Sequence, residues 1–381
     1  MPQNLLGSSF ISIVDSGSGK YANEILNVSK RSHRQSRLKN LLLDPQFPMN
    51  PDTRAVNWYI LLATTVLITL VAKTIQKAYF RYRIIRASIL RDRKPFACSL
   101  ASTLACNLAC SFCYTASPRA AAKVPKTTQT PQELTVDDFK QLCLRLRKRG
   151  IRHATLTDGE PLLTEESSEK CKVAAEIFDQ TWIVTNGTFG FPRFRNTLYI
   201  VSLDGDEETH DHIRGKGVFA KIRQNISSDI PASCYCNTTL TRLNHSKIQS
   251  IVEAAKNLGA NGICFAWSTP MSPKDVLYLS HVERQKDIDE IQRLKRLFYG
   301  DYILNSDNEL DLMRTNQWSN RCPTWFVESY DAYGTRKPTC VFGEATSFMC
   351  ENCGCNIYPS ILTIIERRKT ALISKLAFST R

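Results

Sequence analysis

Three cysteines stand in the run Cys106-Asn107-Leu108-Ala109-Cys110-Ser111-Phe112-Cys113-Tyr114, spaced CxxxCxxC with an aromatic residue just before the last. Soft thiolates select zinc, copper(I) or iron–sulfur clusters. Four of them would close a tetrahedral site, whereas three on a tight loop leave one metal position open to another ligand. In a cuboidal cluster that open position is an iron able to chelate a small molecule. The plain alternatives are three structural cysteines or a zinc loop whose fourth ligand lies elsewhere.

Further short motifs follow in order. Asp158-Gly159-Glu160-Pro161 closes an apolar run, then come Val184-Thr185-Asn186-Gly187, Val201-Ser202-Leu203-Asp204-Gly205 and His210-Asp211-His212-Ile213-Arg214-Gly215. Each is weak alone, but four in sequence behind the cysteine triad are specific. The stretch from about Pro95 to Cys355 resembles the radical S-adenosylmethionine (radical SAM) enzymes. It departs from their Gly-Gly-Glu-Pro motif at the first glycine, replaced here by Asp158, a residue type that tolerates a left-handed backbone better than most.

The resemblance implies a 4Fe-4S cluster on Cys106, Cys110 and Cys113. Its free iron would chelate S-adenosylmethionine, which one electron splits to a 5′-deoxyadenosyl radical. By position, Phe112, Gly159, Glu160, Asn186, Ser202, Asp204 and Arg214 are expected to bind that cofactor. Gly159 and Glu160 would lie near the methionine amino group, Ser202 and Asp204 near the ribose or methionine portion, and Arg214 on the carboxylate. The resemblance extends to a second cysteine group, Cys322, Cys340, Cys350, Cys353 and Cys355, similar to the SPASM or twitch extensions, which implies an auxiliary iron–sulfur cluster. A zinc knuckle or free thiols are its alternatives, and Gly334 and Gly354 are expected to supply the turns. His153, His210 and His212 read as structural more readily than catalytic.

The elements that must position these residues are short β-branched runs alternating with helical patterns. Strands are expected at 98–104, 153–157, 182–185, 198–202, 235–241 and 262–267. Thr135 and Asn244 are expected to cap helices between them. The expected fold is α/β, a partial (βα)6 TIM-like barrel, with the motifs gathered at the carboxyl ends of the strands. Cys98, Cys143, Cys171, Cys234, Cys236 and Cys264 lie in apolar segments and read as core.

Composition frames the rest. With 381 residues and 43% apolar content the chain can bury a large core, and its 14 cysteines in so long a chain argue for a reducing compartment rather than a disulfide scaffold. The net charge of +14 is concentrated before residue 95, where 73–94 carries eight Lys and Arg against Asp92. A nucleic-acid partner is therefore not expected. Residues 55–72 carry no charge; as a helix they would extend about 27 Å, enough for a thin bilayer core. Trp58 and Tyr59 at one end and Lys73, Lys77 and Arg81 at the other suit a single-pass span with the catalytic domain cytoplasmic. Interfacial attachment and a soluble core helix are the alternatives.

The expected organisation is a disordered or regulatory segment 1–54, a membrane and juxtamembrane region 55–94, the barrel 95–300, a cysteine-rich module 301–355 and a basic amphipathic tail 356–381. That tail would lie on lipid or cap the barrel. The leading functional expectation is a membrane-anchored enzyme modifying a lipid or isoprenoid, partly because 322–340 looks distantly similar to hopanoid-forming members of the family. The alternatives are a SPASM/twitch-type peptide maturase and a non-catalytic metal-binding membrane scaffold. A reduced flavodoxin or ferredoxin is the expected electron donor.

Overall fold

The structure is a computed structural model, and it describes residues 74–366 apart from 77, 88–89, 116–131, 229–230 and 232. The chain divides into two compact units, residues 1–76 and 77–381. The described residues of the first unit are 74–76, which are helical. The expected membrane segment 55–72 and the tail beyond 366 lie outside the described residues. Among the described residues no helix is long and apolar enough to cross a membrane.

The second unit is built on a seven-stranded, wholly parallel sheet of order β6-β5-β4-β3-β2-β1-β7. Its strands are β1 (Ala97–Ala101), β2 (His153–Thr157), β3 (Gln180–Thr185), β4 (Thr197–Ser202), β5 (Cys234–Leu240), β6 (Ile263–Trp267) and β7 (Val327–Tyr330). Residues 78–87 are helical, and the α-helices that follow β1 are α1 (Val136–Lys148), α2 (Glu165–Ile177), α3 (Glu207–Arg214), α4 (Val218–Ser228), α5 (Ile248–Asn257), α6 (His281–Leu294), α7 (Asp307–Thr315), α8 (Ser347–Glu351) and α9 (Ile357–Ile365).

Alternation along the strands makes two cores. One side chain in two points outward, so Cys98, Leu156, Ile183, Val201 and Cys236 meet apolar helix faces such as Phe139 and Leu142 of α1 and Ile251 of α5. The inward set includes Trp182, Leu198, Ile200 and Tyr235, packed against Tyr358, Ile361 and Leu362 of α9. Helix α9 thus plugs the concave side, the capping alternative for that stretch of the tail. A cavity of about 300 Å³ is lined by Cys264 and Ala266 on one edge strand and Val327 and Ser329 on the other. Strands lie about 4.8 Å apart, so one small cavity touching both edges requires a curled sheet.

Three local readings needed correction. The first strand stops at Ala101, and the chain turns where Leu104 N and Thr103 Oγ1 both donate to the Glu133 carboxylate. Thr135 does cap α1, its hydroxyl accepting from Asp138 N, but Asn244 does not cap with its side chain. Its amide instead donates to the carbonyls of Asp204 and Thr239 and accepts from Thr241 N. The seventh strand was not foreseen, because Val327-Glu328-Ser329-Tyr330 is short and half polar. Glu328 is tolerated there by a two-pronged pair with Arg149 at the end of α1, 2.7 and 2.9 Å. The expected cysteine-rich module 301–355 therefore contributes a strand to the sheet.

Candidate active site

Because all seven strands run the same way, the segments that follow β1 to β4 collect at one end of the sheet. The loop after β1 carries Cys106, Cys110 and Cys113, all half-buried. Cys113 N donates to Cys110 O at 3.1 Å, which closes a turn, and Ser111 N donates to Ile213 O of α3 at 3.3 Å. Each sulfur has a polar neighbour. Leu108 N (3.4 Å) and Asn186 Nδ2 (3.9 Å) donate to Cys106, Arg214 Nη1 (3.7 Å) to Cys110, and Thr115 Oγ1 stands 3.2 Å from Cys113. Burial raises the Cys106 and Cys110 thiols above their ordinary value, and Arg214 opposes the rise at Cys110.

The turn after β2 packs directly on this loop. Gly159 has φ +51°, and a Cβ there would lie 2.5 Å from Ala105 O, so only glycine fits. Asp158 adopts φ +67°. The Glu160 carboxylate is buried and committed to bracing: Oε1 accepts from Thr185 Oγ1 (2.7 Å) and Leu162 N (3.0 Å), and Oε2 from Asn186 N (2.7 Å). Burial raises its pKa while these donors hold it down. The carboxylate thereby braces the β2 and β3 ends; its expected place near the methionine amino group is a proposal from the resemblance. Asn186 donates to Asn107 Oδ1 at 2.9 Å and so ties the β3 end to the cysteine loop.

Asp204 is fully buried after β4, with Oδ2 2.5 Å from Arg214 Nε and Oδ1 accepting from Thr239 N at 2.9 Å. Arg214 also lies over the Phe112 ring, 5.4 Å from its centroid. The Asp204 side chain is thus spent on Arg214, and Arg214 on Asp204, Cys110 and Phe112. The expected roles of Arg214 on a cofactor carboxylate and of Asp204 near the ribose or methionine portion are proposals from the resemblance. Ser202 is half-buried at the end of β4.

Of the histidines, His210 is enclosed and accepts from Asp204 N at 3.1 Å, and burial takes its pKa down to about 4. His153 sits 4.9 Å from the Phe96 ring, and burial likewise takes it to about 4. His212 is exposed.

One part of the site was missed. Asp158 Oδ2 pairs with Lys337 Nζ at 2.6 Å, and Oδ1 accepts from the Tyr114 hydroxyl. Lys337 Nζ also donates to Val341 O at 2.8 Å, while Phe342 packs edge-on against Tyr114, ring centroids 4.9 Å apart. Tyr114, Val341 and Phe342 all line the cavity. The replacement of glycine by Asp158 was the visible signal, and its basic partner lies 179 residues away.

The C-terminal cysteines 322, 340, 350, 353 and 355 are all half-buried, and burial followed by their mutual repulsion raises the Cys322 thiol. Burial pushes Cys353 up to about 11. Gly354 does not have the positive φ expected of a turn glycine. It is required by close approach, since a Cβ would lie 1.8 Å from Trp267 O. Its backbone joins the end of β6, with Trp267 N donating to Gly354 O and Gly354 N to Thr269 Oγ1, both 2.9 Å. The six cysteines read as core are buried.

Among the described residues no three His, Cys, Asp or Glu side chains converge closely enough to hold a single metal ion. The fit to an iron–sulfur group is judged on donor chemistry. Three half-buried thiols on one loop, with amide and guanidinium donors beside them to offset thiolate charge, suit such a cluster.

Comparison with known proteins agrees. The profile of the radical SAM superfamily matches residues 100–228. The sporulation killing factor maturation protein SkfB of Bacillus subtilis is 30% identical over 176 residues, 44% of this chain and 41% of that protein. The mycofactocin maturase MftC of Mycolicibacterium smegmatis is 25% identical over 177 residues, 44% of this chain and 43% of the other. The match thus spans about two fifths of each curated relative. In fold, the chain is similar to Streptococcus suis SuiB bound to the precursor peptide SuiA, with TM-score 0.52, 11% identity, and 77% and 69% of the two chains covered.

Proposed function

Because the chain belongs to the radical SAM superfamily, we propose that it is a radical enzyme that modifies a peptide. The observation that carries the substrate class is the match to SkfB, described as a maturation protein, and MftC, described as a maturase. The lipid reading rested on residues 55–72, outside the described region, and on a distant likeness of 322–340, and the matches to SkfB and MftC favour the peptide alternative over it. Single-pass membrane attachment, with the catalytic domain cytoplasmic, stands as a separate proposal from sequence, as do the five-part domain division and a flavodoxin or ferredoxin donor.

Radical SAM enzymes use a 4Fe-4S cluster and S-adenosylmethionine, and Cys106, Cys110 and Cys113 would hold the cluster here. When bound, these cofactors supply a 5′-deoxyadenosyl radical. The protein's own contribution is positional. Arg214, fixed by Asp204, places a cation at Cys110 and supports Phe112. Glu160 locks the β2 and β3 ends together beneath the cysteine loop. Phe112, Tyr114 and Phe342 line a cavity whose walls are mainly apolar, a surrounding suited to a reactive species. The cysteines at 322, 340, 350, 353 and 355 are proposed to hold one auxiliary iron–sulfur cluster.

The test is anaerobic reconstitution with iron and sulfide, reduction, and measurement of 5′-deoxyadenosine release. Wild type should release it and Cys110→Ala should not, with a lower iron count. Co-expression with candidate precursor peptides should then yield a peptide whose mass has changed. Stimulation of release by lipid extract, with every peptide unmodified, would overturn the peptide reading.

A further inference from the structure

Arg284, in the first turn of α6, is 0% exposed. Its guanidinium donates to four backbone carbonyls: Nε to Leu279 (3.1 Å), Nη1 to Cys353 (2.9 Å), and Nη2 to Asn352 (2.7 Å) and Ser268 (3.4 Å). It lies 5.3 Å from the Tyr278 ring centroid. Carbonyls and a ring face satisfy its N–H groups without neutralising its charge. The neighbouring acids are engaged elsewhere, Asp287 by His245 and Trp267, and Glu283 by Arg242 and Ser280. Among the described residues no carboxylate pairs with Arg284, in contrast to Arg214 with Asp204 and Lys337 with Asp158. A buried cation without a countercharge is costly.

Two of its four acceptors lie on the segment between Cys350 and Cys355. That placement identifies where the missing negative charge belongs. Thiolates on Cys322, Cys340, Cys353 and Cys355 would supply it, and these four side chains pack against one apolar cluster. Asn316 holds the same backbone independently, its Nδ2 donating to Glu351 O (3.1 Å) and Cys353 O (2.7 Å). Removing the Arg284 charge therefore need not release the loop.

We propose that Arg284 is the built-in countercharge of an anionic iron–sulfur group held by the C-terminal cysteines, and that it sets the reduction potential of that group. The inference rests on the auxiliary-cluster reading above. An added electron makes the group more negative, so a fixed cation nearby favours the reduced form and raises the potential. Arg284 is a positioning and potential-setting residue rather than a group that touches the substrate.

The test uses the full chain carrying Cys106→Ala, Cys110→Ala and Cys113→Ala, so that bound iron reports only the C-terminal site. After reconstitution with iron and sulfide, iron is counted and the cluster titrated reductively under electron paramagnetic resonance. At the potential that half-reduces the parent, Arg284→Gln should lower the reduced-to-oxidised ratio at least tenfold, about 59 mV for a one-electron couple. Arg284→Lys, which keeps the charge and loses the fork, should stay within about threefold of the parent. An unchanged ratio in Arg284→Gln, or an equal shift in Arg284→Lys, would overturn the proposal. If Arg284→Gln takes up no iron, loading of the Lys variant supports it and failure of both overturns it. A parent without iron would instead remove the auxiliary-cluster reading, and the inference with it.

Discussion

Asp204 and Arg214 show how little of this site is free to improvise. The carboxylate has no exposure, and its two oxygens are divided between Arg214 Nε and Thr239 N. Arg214→Ala would strand a buried charge, so the expected cost is about 3–5 kcal/mol of stability. Asp204→Asn combined with Arg214→Met removes both charges and should cost less than Arg214→Ala alone. Urea denaturation of the three proteins checks this. If the double variant is the least stable, the pair is not a coupled unit.

Among the elements, the ends of β2 and β7 and the cysteine loop are joined by one clasp. Tyr114 follows Cys113, Asp158 closes β2, and Lys337 precedes Cys340. Gly at 158 relaxes a non-glycine residue from φ +67° while deleting the clasp, so the two effects oppose each other in global stability. Local exchange separates them. Asp158→Gly and Lys337→Met should each speed amide hydrogen exchange in 337–343, and the double variant should exchange no faster than either single one. Additive acceleration would mean that the two side chains hold this segment by separate contacts.

At the scale of the whole molecule, two desolvated histidines, His210 buried and His153 half-buried in the cavity wall, tie stability to pH. His153 and His210 are both lowered by burial to about 4. An unfolded histidine titrates near 6.5, so between these values the unfolded chain binds more protons and stability rises with pH. The contribution is present above about pH 6.5 and is lost as pH falls toward 4. Each group gives a slope of up to about 1.4 kcal/mol per pH unit within that window. Melting temperatures across pH 4 to 7 should show the loss, and His153→Gln should remove about one proton's share of the slope. A slope unaltered by that variant would assign the acid sensitivity to other groups.

The sequence by itself determined whatever depends on neighbours along the chain. Six strands were legible from β-branched runs, the cysteine triad from its spacing, and the Thr135 cap from its local pattern. The left-handed backbone at Asp158 was legible as well, because backbone sterics act within a residue or two. Tertiary structure decided everything that required a distant partner. Strand β7 exists because Glu328 finds Arg149, and Glu160 became a brace because β3 presents Thr185 and Asn186 to it. Gly354 is glycine because the Trp267 backbone passes within reach, and Arg284 is buried against Cys353, 69 residues away. Burial turns each of these polar groups into a demand for a specific partner, and only the folded chain shows which partner meets it.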